Sequence, residues 1–194
     1  MDFRPYDRQA LDLNQQVVDR ITEAQFDLPT PCAPWTVREL LSHMVSQHLR
    51  FGAVARGEDP ELACPLDKAE LGQDPAATFR AASASVTASF AAGADDAVLL
   101  LPEIGRPAPL GVLISFHTFD FVVHGWDLAV SIGAPYAPPA GLSALVYEVG
   151  KLIPDTSRTP SGSFAPVVEV GSDADELARL LGLAGRDPEW TPGV

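Results

Sequence analysis

Three residues able to hold a metal ion, His117, Asp120 and His124, fall on one stripe of the most apolar segment of this 194-residue chain. At 100° per residue Asp120 lies about 300° round from His117 and His124 about 340°, so the three share an arc of about 60°. Asp120 and His124 are i and i+4, stacked neighbours on a helix. A carboxylate and two imidazoles buried along one stripe are costly unless they pair or coordinate something. A divalent cation meets both needs, neutralising the acid and using the imidazole lone pairs. One helix rarely closes such a site, and His43, set among Leu40, Leu41, Met44 and Val45, is the best candidate for a ligand from a second helix. Two histidines and one carboxylate leave a position open for water or substrate, which suits catalytic zinc and also non-haem iron. The alternative on spacing alone is a hydrogen-bonded Asp120–His124 pair with His43 a satisfied core histidine.

Neighbouring residues have graded roles. His117 is a fourth ligand, a partner behind the ligands, or the group that moves a proton at the site. Asp127, three residues after His124, either orients that imidazole or is a solvated charge near the helix end. Gln47, one turn beyond His43, lines a pocket, whereas His48 points elsewhere. Glu39 reads as a capping acid, Trp35 and Trp126 as packing residues, and Cys32, between Pro31 and Pro34, as part of a turn. No Gly-rich phosphate loop is present, and the run at Gly162 lacks the second glycine of a nucleophile elbow.

The elements that must position these residues follow from periodicity and punctuation. A first helix is expected over residues 6–24, with Leu11, Asn14, Val17, Val18 and Ile21 in register. Pro29, Pro31 and Pro34 enforce an extended connection. Thr36-Val37-Arg38-Glu39 is a capping box that opens a second helix, ending near Gly57. Residues 58–72 read as a loop. Asp74-Pro75 starts a third, Ala- and Ser-rich helix that stops near Gly93. The stretch 98–107 is a short hairpin or an extended loop. The fourth helix, residues 110–132, carries apolar residues on nearly every face, among them Phe116, Phe119, Phe121, Val122 and Trp126, so it is central and buried. A fifth spans 139–153. After a Ser/Thr/Pro-rich loop at 154–166 come a short strand at 167–170 and a last helix, capped by Asp173, through Leu183. The fold class is mainly α: an antiparallel four-helix bundle over residues 1–153, with a small appendage, strand plus helix, over 154–194.

Composition bounds the function. Hydrophobic residues make up 46% of the chain, enough for a core without metal or disulfide staples, so a metal here is functional rather than needed for folding. Lys and Arg number 13 against 26 Asp and Glu, a net charge of −13, which repels nucleic acid and anionic membranes. Cys32 and Cys64 form no metal-binding pair and read as free thiols in a reducing cytoplasm, a single disulfide between them being the alternative. No signal-like run opens the chain and no stretch reaches the ~20 apolar residues of a membrane helix. The expected setting is cytoplasmic, as a monomer or homodimer with small-molecule partners.

Thr30-Pro31-Cys32-Ala33-Pro34-Trp35-Thr36-Val37-Arg38-Glu39-Leu40-Leu41-Ser42-His43 resembles the N-terminal signature of the mycothiol-dependent maleylpyruvate isomerase family, within the wider DinB-like group. Asp120-Phe121-Val122-Val123-His124-Gly125-Trp126-Asp127-Leu128-Ala129 resembles its second metal-binding segment. The stretch Leu180 to Pro188 resembles the ending of a subgroup of small actinobacterial members. The resemblance implies a DinB-like four-helix bundle with zinc on His43, Asp120 and His124, and a position left for a thiol. Three ligands already supplied, His117 is then a second-layer or proton-transfer residue. The founding enzyme has Glu where this chain has Asp120, one methylene shorter. The isomerase's full additional C-terminal domain, which helps build its active site, is not expected here, which leaves maleylpyruvate isomerisation itself in doubt. The function implied is a zinc-dependent (iron or nickel being the other candidates) S-transferase or isomerase using mycothiol or a similar thiol and an electrophilic substrate. A non-catalytic metal-binding module and a metal-assisted hydrolase are the alternatives.

Overall fold

Residues 1–102, 105–159 and 164–192 are described by the computed structural model of the chain. Helix α1, Arg4–Val18, opens on a proline and buries Ala10, Leu11, Asn14, Val17 and Val18. It stops short of residue 24 because Thr22 and Gln25 restart the backbone. The Thr22 amide donates to Gln25 Oε1 at 2.9 Å, opening a separate 3-10 turn at Glu23–Gln25. Helix α2, Val37–Ala55, begins at the expected box, with the Thr36 amide donating to Glu39 Oε2 at 2.8 Å. Gly57, at φ +74°, lies just beyond its end. The segment read as a loop holds one short helix, α3, Pro60–Ala63, capped by Asp59. Helix α4, Pro75–Ala92, is capped by Asp74, which accepts from the Ala77 amide at 2.9 Å.

Strands β1, Val98–Leu101, and β2, Arg106–Pro109, pair antiparallel with Leu99 opposite Ala108. Helix α5, Leu110–Ser131, follows directly. Helix α6, Leu142–Gly150, is shorter than expected, because Gly141 at φ +78° interrupts helical geometry at its start. Residues 167–170 are a correction. They form no strand, since no ladder partner lies beside them, and Val168 donates to the Gly182 carbonyl at 2.9 Å. Helix α7, Glu176–Leu183, is capped by Asp175 rather than Asp173. The Gly162 run lies outside the described residues.

Helix α1 packs on α4 and α5, and α2 packs on the same two, which closes a four-helix ring. His43 of α2 faces Asp120 of α5 while His48 faces His117, so the two helices run antiparallel. Leu40, Leu41 and Met44 of α2, Phe79 and Val86 of α4, and Leu113, Ile114, Phe121 and Val122 of α5 are almost wholly buried between them, each stabilising by ~1.5–3 kcal/mol. Helix α6 covers another side of α5 and carries α7 on its back, which is why α5 is apolar nearly all round. Among the described residues no helix is long and apolar enough to cross a membrane.

Candidate metal centre

The four-helix ring brings α2 and α5 together at one end, and there His43, Asp120 and His124 converge. One donor atom from each lies within 4.8 Å of the others. His124 Nε2 stands 3.4 Å from Asp120 Oδ1, and His43 Nε2 stands 3.9 Å from Asp120 Oδ2. Two ligands on a tetrahedral zinc, at 2.0–2.1 Å from it, lie about 3.4 Å apart. The imidazole rings cross nearly edge to face at 5.0 Å. Asp120 Oδ2 is buried and finds no hydrogen-bond partner among the described residues, a costly state for a carboxylate oxygen. The donor set and its unused oxygen therefore fit a divalent cation.

Each histidine is held from behind by an acid. His43 Nδ1 lies 2.5 Å from Asp67 Oδ1, and His124 Nδ1 lies 2.9 Å from Asp127 Oδ2. An N–H donated at Nδ1 leaves the lone pair on Nε2, the nitrogen that faces Asp120 in both rings. Asp127 is fully buried, and Arg186 forks onto it, Nε to Oδ1 at 3.0 Å and Nη2 to Oδ2 at 3.0 Å. Burial pushes the Asp120 carboxyl up, but facing His124, with His43 and His117 behind, outweighs it and holds it down to about 2. Burial pulls the His124 imidazole down, and Asp120 and Asp127 together overcome this and raise it to about 10. Burial also pushes Asp127 up, yet Arg186 and then His124 keep it below its ordinary value.

The stripe on α5 divides by depth. His117, read as a fourth ligand, a partner behind the ligands or a proton-transfer group, is enclosed in the bundle with no exposure. Its Nδ1 lies 2.7 Å from Asp7 Oδ1 and its Nε2 3.2 Å from His48 Nδ1, so both ring nitrogens are engaged. The reason is α1, whose Asp7 enters the core beside Thr118. His48 points inward too, stacked on Phe121 at 4.2 Å, with Nε2 unpartnered among the described residues. Burial, then His117, holds its imidazole well below the ordinary value. Gln47, one turn after His43, is buried with Oε1 unpartnered among the described residues. Asp127 lies behind His124 rather than on its metal-facing side.

The half-buried Trp35 ring rests 4.6 Å from that of His43 and 6.4 Å from that of His124. Cys32 also comes near His124 and Asp127, but the Asp127 oxygens are already taken by Arg186 and His124. Burial raises the Cys32 thiol above its ordinary value. Both cysteines are free.

Asp67 and Arg186 have no counterpart in the sequence reading of the site. Asp67 sits at φ +60° in the loop after α3, its amide donating to Ser46 Oγ at 3.1 Å. Arg186 follows α7, 59 positions from its partner. Neither belongs to a periodic stripe; the one available signal was Gly185 before Arg186, a C-terminal turn residue.

The model of the mycothiol maleylpyruvate isomerase N-terminal domain family matches residues 8–129, a span that holds His43, Asp120 and His124. Two Mycobacterium tuberculosis proteins, "Uncharacterized protein MT0763" and "Uncharacterized protein Rv0738", are each 29% identical over 181 residues, 90% of this chain and 94% of theirs. The crystal structure of the mycothiol-dependent maleylpyruvate isomerase matches at a TM-score of 0.58, and that of a histidine-to-alanine mutant of it at 0.61. Both matches are 12% identical and cover 76% of this chain. This likeness is one of fold, and it spans 65% of the isomerase, under two thirds of its length.

Proposed function

The chain belongs to the mycothiol maleylpyruvate isomerase N-terminal domain family, and from that membership we propose that it binds one divalent metal ion, zinc in first place, through His43, Asp120 and His124. We propose further that the centre serves thiol chemistry: S-transfer or isomerisation with a low-molecular-weight thiol of the mycothiol type and an electrophilic second substrate. The observation that carries the reading is the pair of imidazoles whose Nε2 atoms both face one carboxylate while acids hold both Nδ1 atoms. When bound, the ion supplies positive charge that lowers the pKa of a coordinated thiol.

The chain's own residues do the rest. Asp67 and Asp127 hold the protons on Nδ1 of His43 and His124, so Nε2 is the nitrogen left to ligate once any proton on it is released. Asp120 balances the added charge, its carboxylate held ionised by the facing imidazoles. Trp35 shields the two imidazoles from water on one side. Gln47 offers its unpartnered Oε1 to an N–H or O–H of the thiol-bearing substrate. His117 acts here only through Asp120, whose negative charge it helps to hold.

Metal analysis of the purified protein beside His124→Ala tests the first step. About one zinc per chain, lost in the variant, is the expected result. Iron instead would redirect the reading to oxygen chemistry, and no metal in either protein after reconstitution would end it. For the second step, His43→Ala should abolish thiol transfer together with metal. Unchanged transfer after metal loss would overturn the role given to the centre.

A further inference from the structure

We propose that Arg186, in the segment after the bundle, is a positioning residue of the metal centre: by locking Asp127 it fixes the ring of His124 and so sets the affinity for the ion. This rests on the metal reading above.

The backbone delivers Arg186 to that place. Helix α7 ends in a turn in which Gly185 donates to the Gly182 carbonyl at 3.0 Å and Arg186 to the Leu181 carbonyl at 2.8 Å. Gly185 takes φ +79°, and a Cβ there would lie 2.7 Å from that of Ala165 and 2.9 Å from the Ala165 and Pro166 carbonyl oxygens. Only glycine fits such a turn. The chain reverses at this point, and the Arg186 side chain runs inward, 7% exposed, to α5.

A carboxylate held by one hydrogen bond can rotate about its Cβ–Cγ bond. Asp127 cannot do so freely, because the guanidinium fork engages both oxygens, Nε on Oδ1 and Nη2 on Oδ2, each at 3.0 Å. The Arg186 Nη1 atom donates in turn to the Ala184 carbonyl at 3.1 Å, anchoring the fork to the tail. Oδ2 then receives His124 Nδ1 at 2.9 Å, so the plane of the carboxylate dictates the plane of the imidazole and the direction of Nε2. A bidentate arginine gives this directional hold, and a lysine, as a point charge, does not. The two histidines are unequally fixed: Asp67, behind His43, stands on a loop with 36% of its side chain exposed.

The test is zinc affinity by chelator competition, paired with the visible absorption of the cobalt-loaded protein, on the full-length chain. Arg186→Lys keeps the charge and loses the fork. It should bind zinc about 10-fold more weakly and shift the cobalt bands, since residues supporting a ligand are typically worth 10–100-fold in metal affinity. Arg186→Met leaves the buried Asp127 carboxylate with His124 but no guanidinium and is at risk of misfolding, so Asp127→Asn with Arg186→Met serves as the neutral companion. That pair should fold, as judged by circular dichroism, and bind zinc about 10- to 100-fold more weakly. Wild-type zinc affinity and unchanged cobalt bands in both variants would overturn the positioning role while leaving the metal reading intact. A wild-type protein that takes up no zinc would overturn both.

Discussion

Without metal, His124 and Asp120 hold each other, and a cation entering the proposed centre has to displace the proton between them. His124 is raised to about 10 from an ordinary 6.5. Its contribution to stability is therefore fully present below about 6.5 and fades as pH rises through about 10. Asp120 is held down to about 2 from 3.8, so its contribution is present above about 3.8 and is lost as pH falls through about 2. Between these limits His124 carries two ring protons, one more than a ligand can keep. Zinc binding at pH 7 should release about one proton per ion, read from calorimetric titrations in buffers of different ionisation heat. Heats independent of buffer would exclude His124 Nε2 as a ligand. The convergence of His43, Asp120 and His124 was legible in the sequence because two share a helical stripe and the third sits in an apolar helix. The depth of His117 was not, since spacing gives the face of a helix and not the neighbour it meets; here that neighbour is Asp7, more than a hundred residues away. Asp67 and Arg186 come from a loop and a tail, where no period exists to read.

The helices reach the centre through close approach as well as through caps. Asn14 of α1, fully buried, donates from Nδ2 to the Phe121 carbonyl of α5 at 2.8 Å, and Tyr136 donates to the Val122 carbonyl at 2.9 Å. Gly125, next to His124, leaves the room for them. A Cβ there would fall 1.9 Å from Asn14 Oδ1 and 2.6 Å from the Tyr136 hydroxyl. Gly125→Ala should therefore destabilise by about 3 kcal/mol through overpacking, seen as a lower thermal midpoint, with weaker metal binding as α5 shifts. An unchanged midpoint would mean that α1 yields at no cost. At the start of α2, Thr36→Ala removes the half of the box in which the Thr36 hydroxyl accepts from the Glu39 amide, leaving the backbone half, and should cost ~1 kcal/mol, a smaller shift with zinc binding kept. The starts of α2 and α4 were legible because caps are local chemistry: Thr36 and Asp74 fall where the sequence puts them, whereas α7 begins on Asp175 rather than Asp173. Their ends were less so. Helix α1 stops six residues before the expected end because Thr22 and Gln25 pair with each other, a competition that hydrophobic period does not register.

At the scale of the whole molecule, the question is whether the segment after residue 153 is an accessory. Its packing argues that it is part of the core. Leu180, Leu181 and Ala184 are 0, 1 and 2% exposed, α7 lies on α6, and Arg158 donates to the Gly150 carbonyl at the end of α6 at 3.2 Å. A chain cut after residue 153 loses two buried leucines at ~1.5–3 kcal/mol each. It also loses the guanidinium from a buried carboxylate, at ~3–5 kcal/mol. The sum, about 6–11 kcal/mol, is comparable with the entire stability of a domain of this size, ~5–15 kcal/mol. The truncated chain should therefore lose its cooperative melting transition and its near-ultraviolet dichroism, and take up no zinc, whereas the full chain melts in one step with bundle and tail together. If residues 1–153 alone melt sharply and hold zinc at full affinity, the tail is an appendage on an independent bundle, and His124 is oriented without it.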